Sequence, residues 1–226
     1  VASYSDGFVH VINTATRTLI ASVNIGGSPF GISAGNQRIF VSDIFNGRFM
    51  VIDAATLAVI STITLPTGAQ ARAICLSPDQ TRVYVSSNND IWAYDAITLA
   101  PIGNRTITGN AYGLAVSSDG QRLFYADLNG NYGILNTTGL TTIYSTFLAS
   151  SWGAGVCVNQ AGTKAYIAHQ GSNTLYIHDI VNSTFATVPM PTWPTGVSLS
   201  ADESMLYVAN IFIFHFLQKI QSSTLV

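Results

Sequence analysis

Three sequence landmarks that keep one spacing of roughly forty residues, in a chain rich in strand-forming residue types, predict an all-β fold: a β-propeller of four-stranded antiparallel blades. The first landmark is an apolar pair before a small residue. It occurs at Phe40-Val41-Ser42, Tyr84-Val85-Ser86, Phe124-Tyr125-Ala126, Tyr166-Ile167-Ala168 and Tyr207-Val208-Ala209, with steps of 44, 40, 42 and 41 residues between the aromatics. The second is a small residue opening an apolar segment, at Gly31, Ala73, Gly113, Gly155 and Gly196, with steps of 42, 40, 42 and 41. The third is an Asx residue closing a segment, at Asn13, Asp53, Asp95, Asn136 and Asp179, with steps of 40, 42, 41 and 43. Independent markers in one register identify a repeat.

The elements of a unit follow in order from its punctuation, most clearly between Ala73 and Thr108. A first strand, Ile74 to Ser77, is turned by Pro78-Asp79-Gln80. The second, Arg82 to Ser86, is turned by Ser87-Asn88-Asn89-Asp90. The third, Ile91 to Tyr94, is turned by Asp95-Ala96-Ile97-Thr98, and Leu99 to Thr106 supplies the fourth. Pro, Asp, Asn and Gly stand where turns need a preset φ, a side-chain bond to the backbone, or a positive φ. Runs such as Met50-Val51-Ile52 are apolar on both faces, so they predict strands covered on two sides.

One domain over 1–226 is expected, with units near 1–27, 28–68, 69–110, 111–151, 152–191 and 192–226. The first unit lacks its opening strand, and the last degenerates after Asn210, where the closing turn is missing from the apolar tail 211–226. Six blades are therefore visible, either as the full set or as part of a seven-bladed ring.

Composition narrows the function. Of 226 residues only 9% are charged, the net charge is −2, and basic residues stand singly. No basic stripe is present to neutralise phosphates or hold an anionic bilayer, so nucleic acid and membrane surfaces are not expected partners. The longest apolar run, Ile211 to Leu217, is too short to span a bilayer and contains His215. The chain opens at Val1, which reads as an excerpt or a processed form. Cys75 and Cys157 share a repeat position two units apart, which predicts buried free thiols and no disulfide.

The second strand of each unit ends at a polar residue: Ser3, Asp43, Ser87, Asp127, His169 and Asn210. One reading makes Asp43, Ser87, Asp127, His169 and Asn210 a ligand-facing ring for a cation or polar ligand. The other has each residue start a tight turn by bonding its own backbone. Asp53, Asp95 and Asp179, like Asp79, Asp119 and Asp202, are expected to be turn residues. His10, His169, His178 and His215 lack any zinc-binding spacing, and no nucleophile elbow or phosphate loop occurs. No catalytic residues, metal site or cofactor are assigned.

Ser28-Pro29-Phe30-Gly31, Leu76-Ser77-Pro78-Asp79-Gln80, Arg82-Val83-Tyr84-Val85-Ser86, Leu206-Tyr207-Val208-Ala209-Asn210 and Met50 to Thr56 resemble the YVTN-type propeller repeats. The resemblance runs from Val1 to about Asn210. It implies a propeller, often seven-bladed, in a family that includes surface proteins and has lactonase-like enzymes as neighbours, alongside WD40-like propellers. No Trp-Asp dipeptide of the WD40 type is present. The expected function is a non-catalytic binding scaffold, secreted or at a cell surface, that takes a protein or glycan partner. The loops Asp43 to Arg48 and His169 to Thr174 are the first contact candidates. A lactonase-like hydrolase is the alternative. Asn104, Asn136 and Asn182 head glycosylation sequons.

Overall fold

The computed structural model describes residues 1–66, 70–150, 152–211 and 217–221. All regular elements among them are strands, β1 to β22, and every sheet is an antiparallel meander in chain order. By its contacts the chain divides into two compact units, 1–104 and 105–226, with the boundary inside β11.

In the first unit, β1 (Ala2–Ser3), β2 (Phe8–Asn13) and β3 (Thr18–Asn24) form a three-stranded sheet. A four-stranded sheet follows: β4 (Pro29–Gly35), β5 (Arg38–Asp43), β6 (Arg48–Asp53) and β7 (Val59–Thr64). The next is β8 (Ala71–Leu76), β9 (Arg82–Ser87), β10 (Asp90–Asp95) and β11 (Pro101–Thr106). These bounds match the strands expected between Ala73 and Thr108 to within a few residues.

The second unit repeats the plan with β12 (Ala111–Val116), β13 (Arg122–Asp127), β14 (Asn131–Asn136) and β15 (Thr142–Phe147). Beside it stand β16 (Gly153–Val158), β17 (Lys164–His169), β18 (Thr174–Asp179) and β19 (Thr184–Pro189). The last sheet is β20 (Pro194–Leu199), β21 (Met205–Asn210) and β22 (Leu217–Gln221). Part of the apolar tail therefore pairs in a blade, with β22 antiparallel to β21; 212–216 and 222–226 lie outside the described residues.

Position in the sheet explains residue type. Second strands such as β5 and β17 are buried almost throughout, because neighbouring sheets of the same unit cover both faces. Fourth strands β7, β15 and β19 alternate exposed and half-buried residues, as one-sided edge strands do. The core lies between consecutive sheets. Phe40, Phe49 and Val51 meet Ile74, Val83 and Val85 in the first unit. Phe124, Tyr132 and Ile134 meet Val156, Ala165 and Ile167 in the second.

The small-residue landmark has a packing cause. A Cβ on Gly31 would run into the Arg72 carbonyl and the Ile74 amide of the next sheet, and one on Gly113 into the Ala154 carbonyl and Val156 amide. First strands of neighbouring sheets touch backbone to backbone there, so a small side chain is required. The Asx landmark is a turn. Asp53 Oδ1 accepts from the amides of Ala55 and Thr56 at 3.0 and 2.7 Å, and Asp95 Oδ1 from Ile97 and Thr98 at 2.9 and 2.7 Å. In the first turn, Ser77, Ser117 and Ser200 hydroxyls donate to Asp79, Asp119 and Asp202, each at 2.5 Å. Hydrogen bonds from Ser200 and Ser204 hold the Asp202 carboxyl down at about 2.

Candidate functional site

Asp43, Ser87, Asp127, His169 and Asn210, which end five of the second strands, are buried, and the polar atoms of Asp43, Asp127 and His169 organise the loop to the third strand. Asp43, wholly inaccessible, accepts from the Ser28 amide at 2.9 Å, from Asn46 Nδ2 at 2.8 Å and from Arg48 Nε at 2.8 Å. Burial would raise its pKa, but these bonds and the Arg48 charge outweigh burial and hold the carboxyl below its ordinary value. Asp127, also wholly buried, takes the amides of Asn129 and Asn131 at 2.9 Å each and the Asn131 carboxamide at 3.0 and 3.1 Å. A cation balances the first carboxylate. Neutral amides solvate the second.

His169 plays the same part with an imidazole. Its Nδ1 accepts from the Ser172 amide at 3.2 Å and stands 3.0 Å from the Ser172 hydroxyl, which places the ring proton on Nε2. Burial lowers its pKa, so the ring is neutral near pH 7. Ser87 and Asn210 are buried at the matching strand ends in their sheets. Among the described residues, no three His, Cys, Asp or Glu side chains are grouped to hold a metal ion.

The remaining described histidines are also built into packing. His10 lies 3.1 Å from Asp6 and 2.9 Å from Ser22. His178 is buried, stacks on Phe185 at 4.5 Å and on Tyr144 at 4.9 Å, and meets the Tyr132 hydroxyl at 3.1 Å. Cys75 and Cys157 are free, and burial pushes both thiols up to about 12, which leaves them protonated and inert.

The most distinctive surface feature lies beside His169. Trp152, Gln170, Gly171 and Trp193 line an open cleft of about 250 Å3. Both indoles are exposed, at 53% for Trp152 and 44% for Trp193. Each tryptophan is the residue just before a first strand, β16 or β20. The carbonyl of Trp152 accepts from the Gln170 amide at 2.9 Å, and that of Trp193 accepts from the Ile211 amide at 3.2 Å. Trp193 is fixed further by its own amide, which donates to Asn173 Oδ1 at 2.8 Å. Both hold positive φ, 61° and 28°, where a bulky L-residue is strained by about 1–3 kcal/mol.

Sequence reading missed this pair, although the signal is present. The corresponding residues before the other first strands are Ser28, Gln70 and Asn110. The hydrogen bonds show the equivalence: Ser28 and Asn110 carbonyls accept from Ile44 and Leu128 at 3.1 and 3.0 Å, as Trp152 accepts from Gln170. Polar residues give way to tryptophan in two consecutive repeats. Of the predicted positions, His169 adjoins the cleft, because the loop its imidazole supports carries Gln170 and Gly171. The contact candidate His169 to Thr174 is thereby placed at one wall of the cleft.

The chain resembles solved structures in fold. A chain from the crystal structure of a mitotic checkpoint complex superposes with a TM-score of 0.82 at 14% identity, covering 96% of this chain and 69% of that one. The architecture is thus a β-propeller, with six blades among the described residues. Altogether 1827 solved chains match, so the likeness carries architecture and leaves function to the site. No family model and no curated protein matches the sequence.

Proposed function

We propose that this chain is a non-catalytic binding scaffold in which a propeller holds a partner site where the loop after a second strand meets the segments that lead into neighbouring first strands. The observation that carries this reading is the cleft flanked by Trp152 and Trp193. Exposed tryptophans held in strained backbone contribute little to a core, whereas aromatic anchors beside a concave surface dominate binding energies. Tyr4 and Phe45, exposed at 48% and 64% with ring centroids 5.8 Å apart, add an aromatic pair on the equivalent loops of the first two sheets.

The rest of the molecule supports a rigid frame. Buried Asp43 and Asp127, and His169 through its Nδ1, bond to amide groups of their own loops, so the loops keep their shape while their outward residues vary. A location outside the cytoplasm, in the manner of the surface proteins among the YVTN-type propellers, accords with the 9% charge and the sequons at Asn104, Asn136 and Asn182. Partners of such a scaffold are proteins or glycans. The structurally similar chain comes from a complex, which accords with partner binding by this fold.

The experiment is capture of partners from extracellular and cell-surface fractions by the wild-type chain and by a Trp152→Asn/Trp193→Asn variant, with lactone hydrolysis followed in parallel with and without divalent metals. A saturable partner retained by the wild type and lost from the variant is expected. Equal capture by both chains, or metal-dependent turnover of lactones, would overturn the reading.

A further inference from the structure

We infer that the Trp152–Trp193 cleft binds a neutral sugar residue of a glycan; this rests on the reading of that cleft as the partner site. Among the described residues the cleft is lined by two indole rings, one carboxamide and one glycine, none of them charged. Each indole offers a broad face that is electron-rich. A pyranose presents a face of polarised C–H groups to such a ring and a rim of hydroxyls at its edge. Gln170 supplies a planar group with both donor and acceptor, suited to neighbouring hydroxyls. Gly171, with no side chain, lets a ligand reach main-chain groups.

Other ligand classes fit less well. An anionic ligand wants Arg, Lys or a row of backbone amides, and a quaternary ammonium wants a cage with a nearby carboxylate. The four lining residues bring no charge of either sign. Size agrees as well. At about 250 Å3 the cleft falls below the range of about 300–1,000 Å3 that takes drug-sized ligands, and it suits a single ring with the rest of the chain leaving through the open side.

The repeat supplies an internal control. Ser28, Gln70 and Asn110 occupy the same place before a first strand, so the fold does not call for an aromatic there. Asparagine also tolerates positive φ better than tryptophan does. Trp152→Asn and Trp193→Asn therefore remove the rings while easing the backbone, and their folding is checked by circular dichroism and thermal melting.

The test is an array of neutral, sialylated and sulfated oligosaccharides, followed by titration of the best neutral hit against tryptophan fluorescence under acrylamide quenching. Bound sugar is expected to shield Trp152 and Trp193 from acrylamide. Each Asn variant should weaken binding at least about tenfold, while Ile97→Ser, in the exposed Asp95 turn, leaves it unchanged. A preference for sialylated or sulfated probes, or equal loss in Ile97→Ser, overturns the inference. So does protection of the indoles by a proline-rich peptide with no sugar response. If no sugar binds but a captured protein still needs both tryptophans, the sugar inference fails and the scaffold site stands. If capture is indifferent to the tryptophans, the site fails with it.

Discussion

The Asp43 loop of the second sheet and the His169 loop of the fifth are built on one backbone plan and end in opposite surfaces. In both, a buried polar residue closes the second strand, and the following amide donates to the residue before the first strand. Around Asp43 the interior of the loop is filled by Asn46 and the Arg48 side chain, which reaches on to the Gly26 carbonyl at 3.1 Å. Around His169 the loop is closed by its own Ser172, and Trp152 and Trp193 stand out into solvent beside it. The first loop uses side-chain chemistry to seal itself. The second leaves its chemistry on the surface. A propeller can therefore place a binding site wherever one repeat position is released from the needs of the turn.

The sharpest way to break the comparison is to remove the charge at its centre. Asp43→Ala leaves Arg48 without its carboxylate and the Ser28 amide without its acceptor. A loss of about 3–5 kcal/mol is expected in urea unfolding, as for other broken buried pairs. Retention of full stability would mean that the ion pair does not hold the loop.

Next in size is the response to acid. His169 and His178 have pKa values lowered by burial, so in the unfolded chain each binds a proton at a higher pH than in the folded chain. Their contribution is fully present above the ordinary histidine value near pH 6.5 and is lost as pH falls from there through the folded values. The slope should reach about 1.4 kcal/mol per pH unit for each extra proton taken up on unfolding. His178→Phe, which can stack on Phe185 and Tyr144, should flatten the profile; an unchanged slope would assign it to other groups.

The comparison can also be sharpened by construction. Asn110→Trp with Leu128→Gln would set a second indole and amide beside Trp152, one repeat earlier, without positive-φ strain, since Asn110 does not hold the left-handed backbone of Trp152 and Trp193. An added binding equivalent for the same ligand is expected by calorimetry, whereas unchanged stoichiometry would show that the fifth-sheet loop holds something more than those side chains. The smallest effect is at Arg17, exposed with φ 58° in the Asx turn of the first sheet. Arg17→Asn should raise stability by up to about 1 kcal/mol in thermal melts.

Legibility in the sequence followed repetition. Phe40, Tyr84 and Phe124 mark the second strands, Gly31 and Gly113 the places where backbones touch, and Asp53 and Asp95 the turns, because each answers a demand made once per blade. The partners of Asp43 and Asp127 were not legible in the same way. Both read as one polar position, yet one is balanced by Arg48 and the other by Asn131, and only the folded loop brings those side chains in. The tryptophans escaped for the opposite reason. A search for recurring residues passes over Trp152 and Trp193, which break the Ser28, Gln70, Asn110 pattern. The cleft begins at Gln170, one residue beyond the second-strand end at His169.

Thermal unfolding of the Trp152→Asn/Trp193→Asn variant beside the wild type, with ligand binding measured on the same samples, tests the central claim most directly. The claim is that these tryptophans serve binding and not folding. It predicts a melting temperature equal to or above that of the wild type, together with loss of binding. A variant that melts well below the wild type, or one that keeps its ligand, would contradict it.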